Sequence, residues 1–130
     1  MNEFVSQFLL EARELTEQAT KDMLALEQNP SDSPQLDSAF RAFHTLKGAA
    51  AIMEYGPMER MLHRAEDILQ GLRREDAAVT PSVIDGCLAC VGQVIRWLDA
   101  IQRDGELPAD ADEVASRIAR QMQAPAPRLA

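Results

Sequence analysis

Three prolines punctuate this chain, and each follows a residue that can open a helix. Ser33-Pro34, Gly56-Pro57 and Thr80-Pro81 each set a capping residue before a proline at a first helical position, where the missing N–H would be unpaired anyway. Between these marks the apolar residues recur three or four apart, the period of an amphipathic helix. Long helices joined by only a few residues fold back on their neighbours, so the punctuation restricts the chain to antiparallel helical packing.

The spacing predicts helices over about residues 3–28, 34–54, 57–74 and 81–103. Asp110 and Glu113, at capping-box spacing, open a shorter fifth one that ends near Gln123. In the first helix Phe4, Phe8, Leu15, Ala19 and Met23 keep the period, with Val5, Leu9, Ala12 and Leu26 beside them. Glu11, Glu14 and Glu17 take its wet side, and Arg13 stands at i, i+4 pairing distance from Glu17. Asn29 to Ser33 form a turn. The expected architecture is all-α: an antiparallel up-down-up-down four-helix bundle with a short additional C-terminal helix packed outside, through Val114 and Ile118. Its core draws on Phe8, Leu15, Phe40, Phe43, Leu62, Leu69, Val83, Cys87, Val91, Val94 and Leu98. The bundle domain is expected over residues 1–123, followed by a Pro/Ala-rich tail or linker over 124–130. A composition poor in aromatics and rich in Ala, Leu, Glu, Gln and Arg points the same way.

A formal net charge of −8 with no Lys/Arg cluster repels a phosphate backbone and disfavours nucleic-acid binding. No apolar run approaches the roughly 20 residues needed to span a bilayer. The acidic start, without a basic leader, is unlike a secretory signal, and a cytoplasmic location is the expectation. Cys87 and Cys90 share the C-x-x-C spacing of redox and zinc motifs, but there is no second ligand pair and the run around them is apolar and helical. They are expected to be small buried hydrophobes.

The chemistry concentrates on the second helix. Leu36, Phe40, Phe43, Leu46, Ala50 and Met53 form its apolar stripe, and His44 lies roughly 100° from the middle of it. An imidazole at that edge can be held from one side and reached from the other. Lys47 and Gly48 follow at i+3 and i+4, and Gly48 costs the helix roughly 1 kcal/mol relative to alanine, so something benefits from the bare position. The third helix carries Glu66 at the border of its stripe (Met58, Met61, Leu62, Ala65, Leu69), with His63 three residues earlier and pointing further outward. Counted from the turn at Tyr55 to Pro57, His44 and Glu66 come out level in an antiparallel pair. If Glu66 accepts from Nδ1–H of His44, Nε2 is left unprotonated and nucleophilic, and Lys47 would offset the charge of a phosphoryl group there.

These residues carry a resemblance. F-x-x-E-A-x-E (Phe8 to Glu14), F-R-x-x-H-x-x-K-G (Phe40 to Gly48) and H-x-x-E (His63 to Glu66) are similar to the histidine-containing phosphotransfer (HPt) domains, above all those of CheA-type chemotaxis kinases, over nearly the whole chain. The resemblance implies His44 as the phosphorylated histidine, Lys47, His63 and Glu66 as its polar network, and Gly48 with Ala51 as small positions where a partner docks. Ala49 and Ala51 depart from the family, which more often has glycine there; both substitutes are small. The implied partners are the catalytic domain of a histidine kinase and the receiver domain of a response regulator, of the CheY or CheB kind. ATP and magnesium would sit on the kinase domain and magnesium on the receiver, with no cofactor on this chain. The chain has no Gly-rich nucleotide cradle, so no autonomous catalysis is expected; any enzymatic activity would belong to a longer parent kinase. Two other readings are a helical adaptor without chemistry and a metal site built from His44, His63 and Glu66.

Overall fold

The computed structural model describes residues 2–123, so the expected tail at 124–130 lies outside the described residues. Five helices follow in order: α1 (Glu3–Gln28), α2 (Ser33–Ile52), α3 (Gly56–Glu75), α4 (Pro81–Asp104) and α5 (Ala111–Gln121). α1 packs on α2 and α4, α2 on α3, and α3 on α4, which closes the expected ring of four antiparallel helices. α5 lies outside the ring, against α3 and α4. Arg60 of α3 pairs with Asp112, and Nε of Arg64 donates to the Met122 carbonyl at 3.1 Å, which fastens both ends of α5. The Met122 side chain seats over Gly86 of α4, where an added Cβ would meet its Cγ at 3.1 Å.

The helix starts differ in detail from those expected. Thr80 caps α4 as anticipated, accepting from the Val83 N–H. The N-cap of α2 is Asp32 rather than Ser33, and its carboxylate takes the Gln35 N–H. α3 begins at Gly56 after an N-cap Tyr55 whose side chain makes no capping bond, and Asp110 makes none for α5. α3 has Pro57 in its first turn in place of a side-chain cap. Arg13 does not pair with Glu17. It reaches across to α4 and donates to Asp99 and Gln102, both at 2.9 Å, while Glu17 faces Lys21.

Most of the expected core is buried, with two exceptions. Leu15 and Phe40 are only half-buried. An unanticipated polar residue is buried among the hydrophobes: Asp22, 1% exposed on the inner face of α1. Its carboxylate accepts from Gln18 and Gln35 at Oδ1 and from the Ser38 hydroxyl at Oδ2, which stitches α1 to α2. Every oxygen is thereby satisfied, as burial of such a group requires.

Cys87 and Cys90 are buried and free. Burial pushes the Cys87 thiol up to about 12, and burial with the neighbouring Cys87 raises Cys90 well above its usual range. Since the thiolate is the reactive form, both should resist alkylation by iodoacetamide at pH 8 in the folded protein and react rapidly once denaturant is added. Fast labelling of the native protein would contradict the packing described.

Candidate functional site

The turn between α2 and α3 fixes the geometry of the site. α2 ends with Glu54 in the left-handed region (φ 61°), while the Tyr55 N–H returns to the Ala50 carbonyl and the Glu54 N–H to that of Ala51. This Schellman-type closure reverses the chain within three residues and leaves no slack in the register of the two helices. Phe43 and Leu46 hold one face of α2 in the core, and Leu62, Ala65 and Leu69 do the same for α3. The residues flanking those stripes, His44 and Glu66, are then brought face to face.

His44 Nδ1 lies 3.1 Å from Oε1 of Glu66, and Nζ of Lys47 lies 2.8 Å from Oε2. The carboxylate is thus held from both sides by the helix it faces. Its side chain is 12% exposed, whereas that of His44 is 59% exposed. Burial pushes the Glu66 carboxyl up, but the hydrogen bonds and positive charge of Lys47 and His44 outweigh it and hold the group below its ordinary 4.5. An ionised carboxylate can only accept, so in the neutral imidazole Nδ1 carries the proton and the lone pair rests on Nε2 of an accessible ring. Phe40, one turn earlier, stacks against the imidazole with centroids 5.8 Å apart and planes 17° apart. An oriented, unprotonated, exposed imidazole nitrogen is a nucleophile.

His63 is not part of this cluster. Its Nε2 faces Asp67, one turn further along α3, at 3.4 Å, with both side chains exposed. The outward position on the helical wheel explains this: the residue points away from α2, and its nearest acid is on its own helix. Lys47 is likewise committed to Glu66 rather than standing free beside Nε2. Among the described residues, no group of three or more His, Cys, Asp or Glu is placed to hold a metal ion, so the three-ligand site from His44, His63 and Glu66 is not assembled.

Beside His44 the surface is low. An added Cβ at Gly48 would meet nothing within 4 Å, so internal packing does not demand the glycine. Together with Ala49 it forms the floor of an apolar groove between α2 and the first turns of α1, bordered by Phe4, Phe8, His44, Ile52 and Met53. Phe4 and Ile52 stand 78% and 83% exposed on its rim. Phe4 belongs to the apolar period of α1 yet remains uncovered. Ala51 is exposed but does not border the groove; Ile52 does. Neither rim residue was anticipated as part of a site. The available signal was Ile52, a large aliphatic residue lying off the α2 stripe.

The family model described as Hpt domain matches residues 3–125. The chemotaxis protein CheA of Treponema pallidum (strain Nichols) is 32% identical over 116 residues, which cover 89% of this chain and 14% of that relative. The chain therefore spans a small part of the length of the curated relative it matches. Among solved structures, the solution structure of the histidine phosphotransfer domain of CheA superposes with a TM-score of 0.81 at 30% identity, covering 100% of this chain and 99% of that one. The phosphorylated P1 domain of CheA3, in complex with CheY6 from R. sphaeroides, shares the fold at a TM-score of 0.77 and 19% identity, over 92% of this chain and 98% of the other.

Proposed function

The chain belongs to the Hpt domain family, of the kind found in CheA chemotaxis kinases, and from that membership we propose that His44 is its phosphoryl acceptor. The observation that carries this reading is the exposed imidazole whose Nδ1 is tied to Glu66 while Lys47 holds the other carboxylate oxygen. The Nε2 lone pair attacks the γ-phosphorus of ATP held by a histidine kinase catalytic domain. The N–P bond forms, the P–O bond to the leaving ADP breaks, and the Nδ1 proton stays on the ring against Glu66. In the second step a carboxylate oxygen of a receiver-domain aspartate attacks the same phosphorus, the N–P bond breaks, and its electron pair returns to Nε2. ATP and magnesium belong to the kinase domain and magnesium to the receiver, with none held by this chain.

Glu66 keeps the ring in one tautomer through both steps, and Lys47, with N–H groups to spare beyond the one facing Glu66, lies on the same side of α2. The apolar groove beside His44 is where a receiver of the CheY or CheB kind would rest, because it is the exposed hydrophobic surface that borders the nucleophile. No described helix is long and apolar enough to cross a membrane, and a domain that meets an ATP-using kinase domain and a receiver works in the cytoplasm. The kinase activity itself would reside in a longer parent protein, for which this chain supplies the acceptor.

Incubation with candidate kinase domains and labelled ATP, followed by mapping of the modified residue, tests the reading: acid-labile, base-stable phosphate should appear on His44. Stable label on a serine, or none with any cognate kinase, would refute it. Glu66→Gln keeps the shape but removes the strong acceptor, and phosphorylation should slow by about tenfold or more, in keeping with the loss of a positioned charged hydrogen bond. The same variant has a pH signature. A carboxyl whose folded pKa is lowered contributes stability above its unfolded pKa and loses it as pH falls through the folded value. The stability gap between wild type and Glu66→Gln should therefore close in acid, below the ordinary 4.5, which denaturant melts across pH 3 to 7 (about one unit apart) would show. At Gly48, alanine should raise stability by about 1 kcal/mol through helix propensity, because its Cβ meets nothing. Leucine should fill the groove and weaken receiver binding, as titration calorimetry would register.

A further inference from the structure

Glu66 fixes one edge of the imidazole but leaves the ring free to tilt about that hydrogen bond. Two residues outside the Glu66–Lys47 cluster address the remaining freedom. Phe40 lies stacked beside the His44 ring, and the guanidinium carbon of Arg73 sits 4.1 Å from the Phe40 centroid. Arg73 is itself immobilised: its Nε donates to Asp37 of α2 at 2.8 Å, and its Nη1 to Gln70, one turn back on α3, at 2.7 Å. A guanidinium this close to a ring centroid is within cation–π range, and its flat face suits stacking better than an ammonium would. The arrangement also accounts for Phe40 being half-buried although it belongs to the apolar stripe of α2. The ring packs against the core and also meets two polar neighbours.

We propose that Phe40 and Arg73 are positioning residues for phosphoryl transfer: Arg73 clamps the Phe40 ring, and that ring sets the plane in which the His44 imidazole presents Nε2. α3 then supplies both restraints, Glu66 on the ring edge and, two turns on, Arg73 over the Phe40 ring. The inference rests on His44 being the acceptor. Its physical content is that an in-line attack requires the Nε2 lone pair to be aimed, and one hydrogen bond cannot aim it alone.

The test uses the whole domain with its kinase domain and ATP, in variants Phe40→Leu, Arg73→Lys and Arg73→Met. Phe40→Leu keeps apolar bulk without a flat face, and should slow phosphorylation by about three- to tenfold, the worth of one aromatic contact. Arg73→Lys keeps the charge facing Asp37 but not the planar face, and should slow it by about two- to fivefold; Arg73→Met should do at least as much. In each variant the His44 ring ¹⁵N and ¹H signals should shift in the unphosphorylated protein, a readout that needs no phosphoryl transfer. Thermal melts identify any variant that is merely unfolded, and Arg73→Lys is the conservative one. Phe40→Tyr should restore both the rate and the ring signals. Wild-type rates in Phe40→Leu and Arg73→Lys would overturn the proposal, as would slowed transfer with unchanged ring signals, since the effect would then lie in partner docking. If wild type itself takes no phosphate on His44, the acceptor reading has failed, and the ring shifts alone report whether the clamp exists.

Discussion

Glutamine at position 44 is expected to abolish phosphoryl acceptance and leave the bundle standing. The imidazole is 59% exposed and contributes no core packing, so its loss forfeits the contact with Phe40 and little else. A glutamine amide can still offer an N–H to Glu66, which spares the carboxylate from being stranded. The stability change should stay within about 1 kcal/mol, the scale of one part-exposed hydrogen bond. The chemical change is total, because an amide nitrogen has no available lone pair with which to attack phosphorus. Phosphate incorporation measured with the cognate kinase domain should fall to background while the circular dichroism melt barely moves. A helical adaptor would keep its function in this variant, so retained signalling with no phosphate would favour that reading. Label persisting at wild-type stoichiometry would place the acceptor elsewhere.

The largest effect on stability is expected at Asp22, which touches neither His44 nor Glu66. Alanine there leaves the side chains of Gln18, Gln35 and Ser38 without their shared acceptor in an interface that is 1% exposed at its centre. Gln18 is exposed and turns to water, but the part-buried Gln35 and Ser38 lose their acceptor beside a small void, which together should cost about 3 kcal/mol, or roughly 10 °C in melting midpoint for a domain of this size. Leucine at 22 should be no milder, since it fills the volume but pairs with none of the three donors. Urea unfolding of both variants checks this, and a loss below about 1 kcal/mol would mean that water replaces the carboxylate. The rate at which His44 accepts phosphate at low temperature, where the variant is still folded, should change little.

The helices themselves were legible because three physical signals coincided: apolar period, proline placement and connections too short for anything but reversal. The His44–Glu66 pairing was legible for a related reason. When a turn is tight, counting residues on either side of it predicts which positions meet. What escaped was governed by contacts that periodicity does not encode. Asp32 and Ser33 are both good capping residues, and only the chain path chose between them. Arg13 had an acid one turn away, yet the partners on α4 won, since a long side chain samples neighbouring helices as readily as its own. The wheel put Phe4 and Phe40 on apolar stripes but could not say whether the facing helix would cover them. Phe4 stays exposed on the groove rim, and Phe40, packed on the core, also carries His44 and Arg73 against its ring. Asp22 stood on the apolar stripe of α1 from the outset, an acid where the period calls for a hydrophobe, and that mismatch was the available hint of a buried network.

The division of labour among the helices has an evolutionary consequence. The proton-holding acid and the cation that steadies it come from α2 and α3 alone, whereas Phe4 and the groove wall it forms come from α1. On the proposed function, substitutions along the first turns of α1 would retune which visiting protein fits while the nitrogen keeps its reactivity. Duplicated copies of such a module could drift apart in their acquaintances without ever having to reinvent their chemistry.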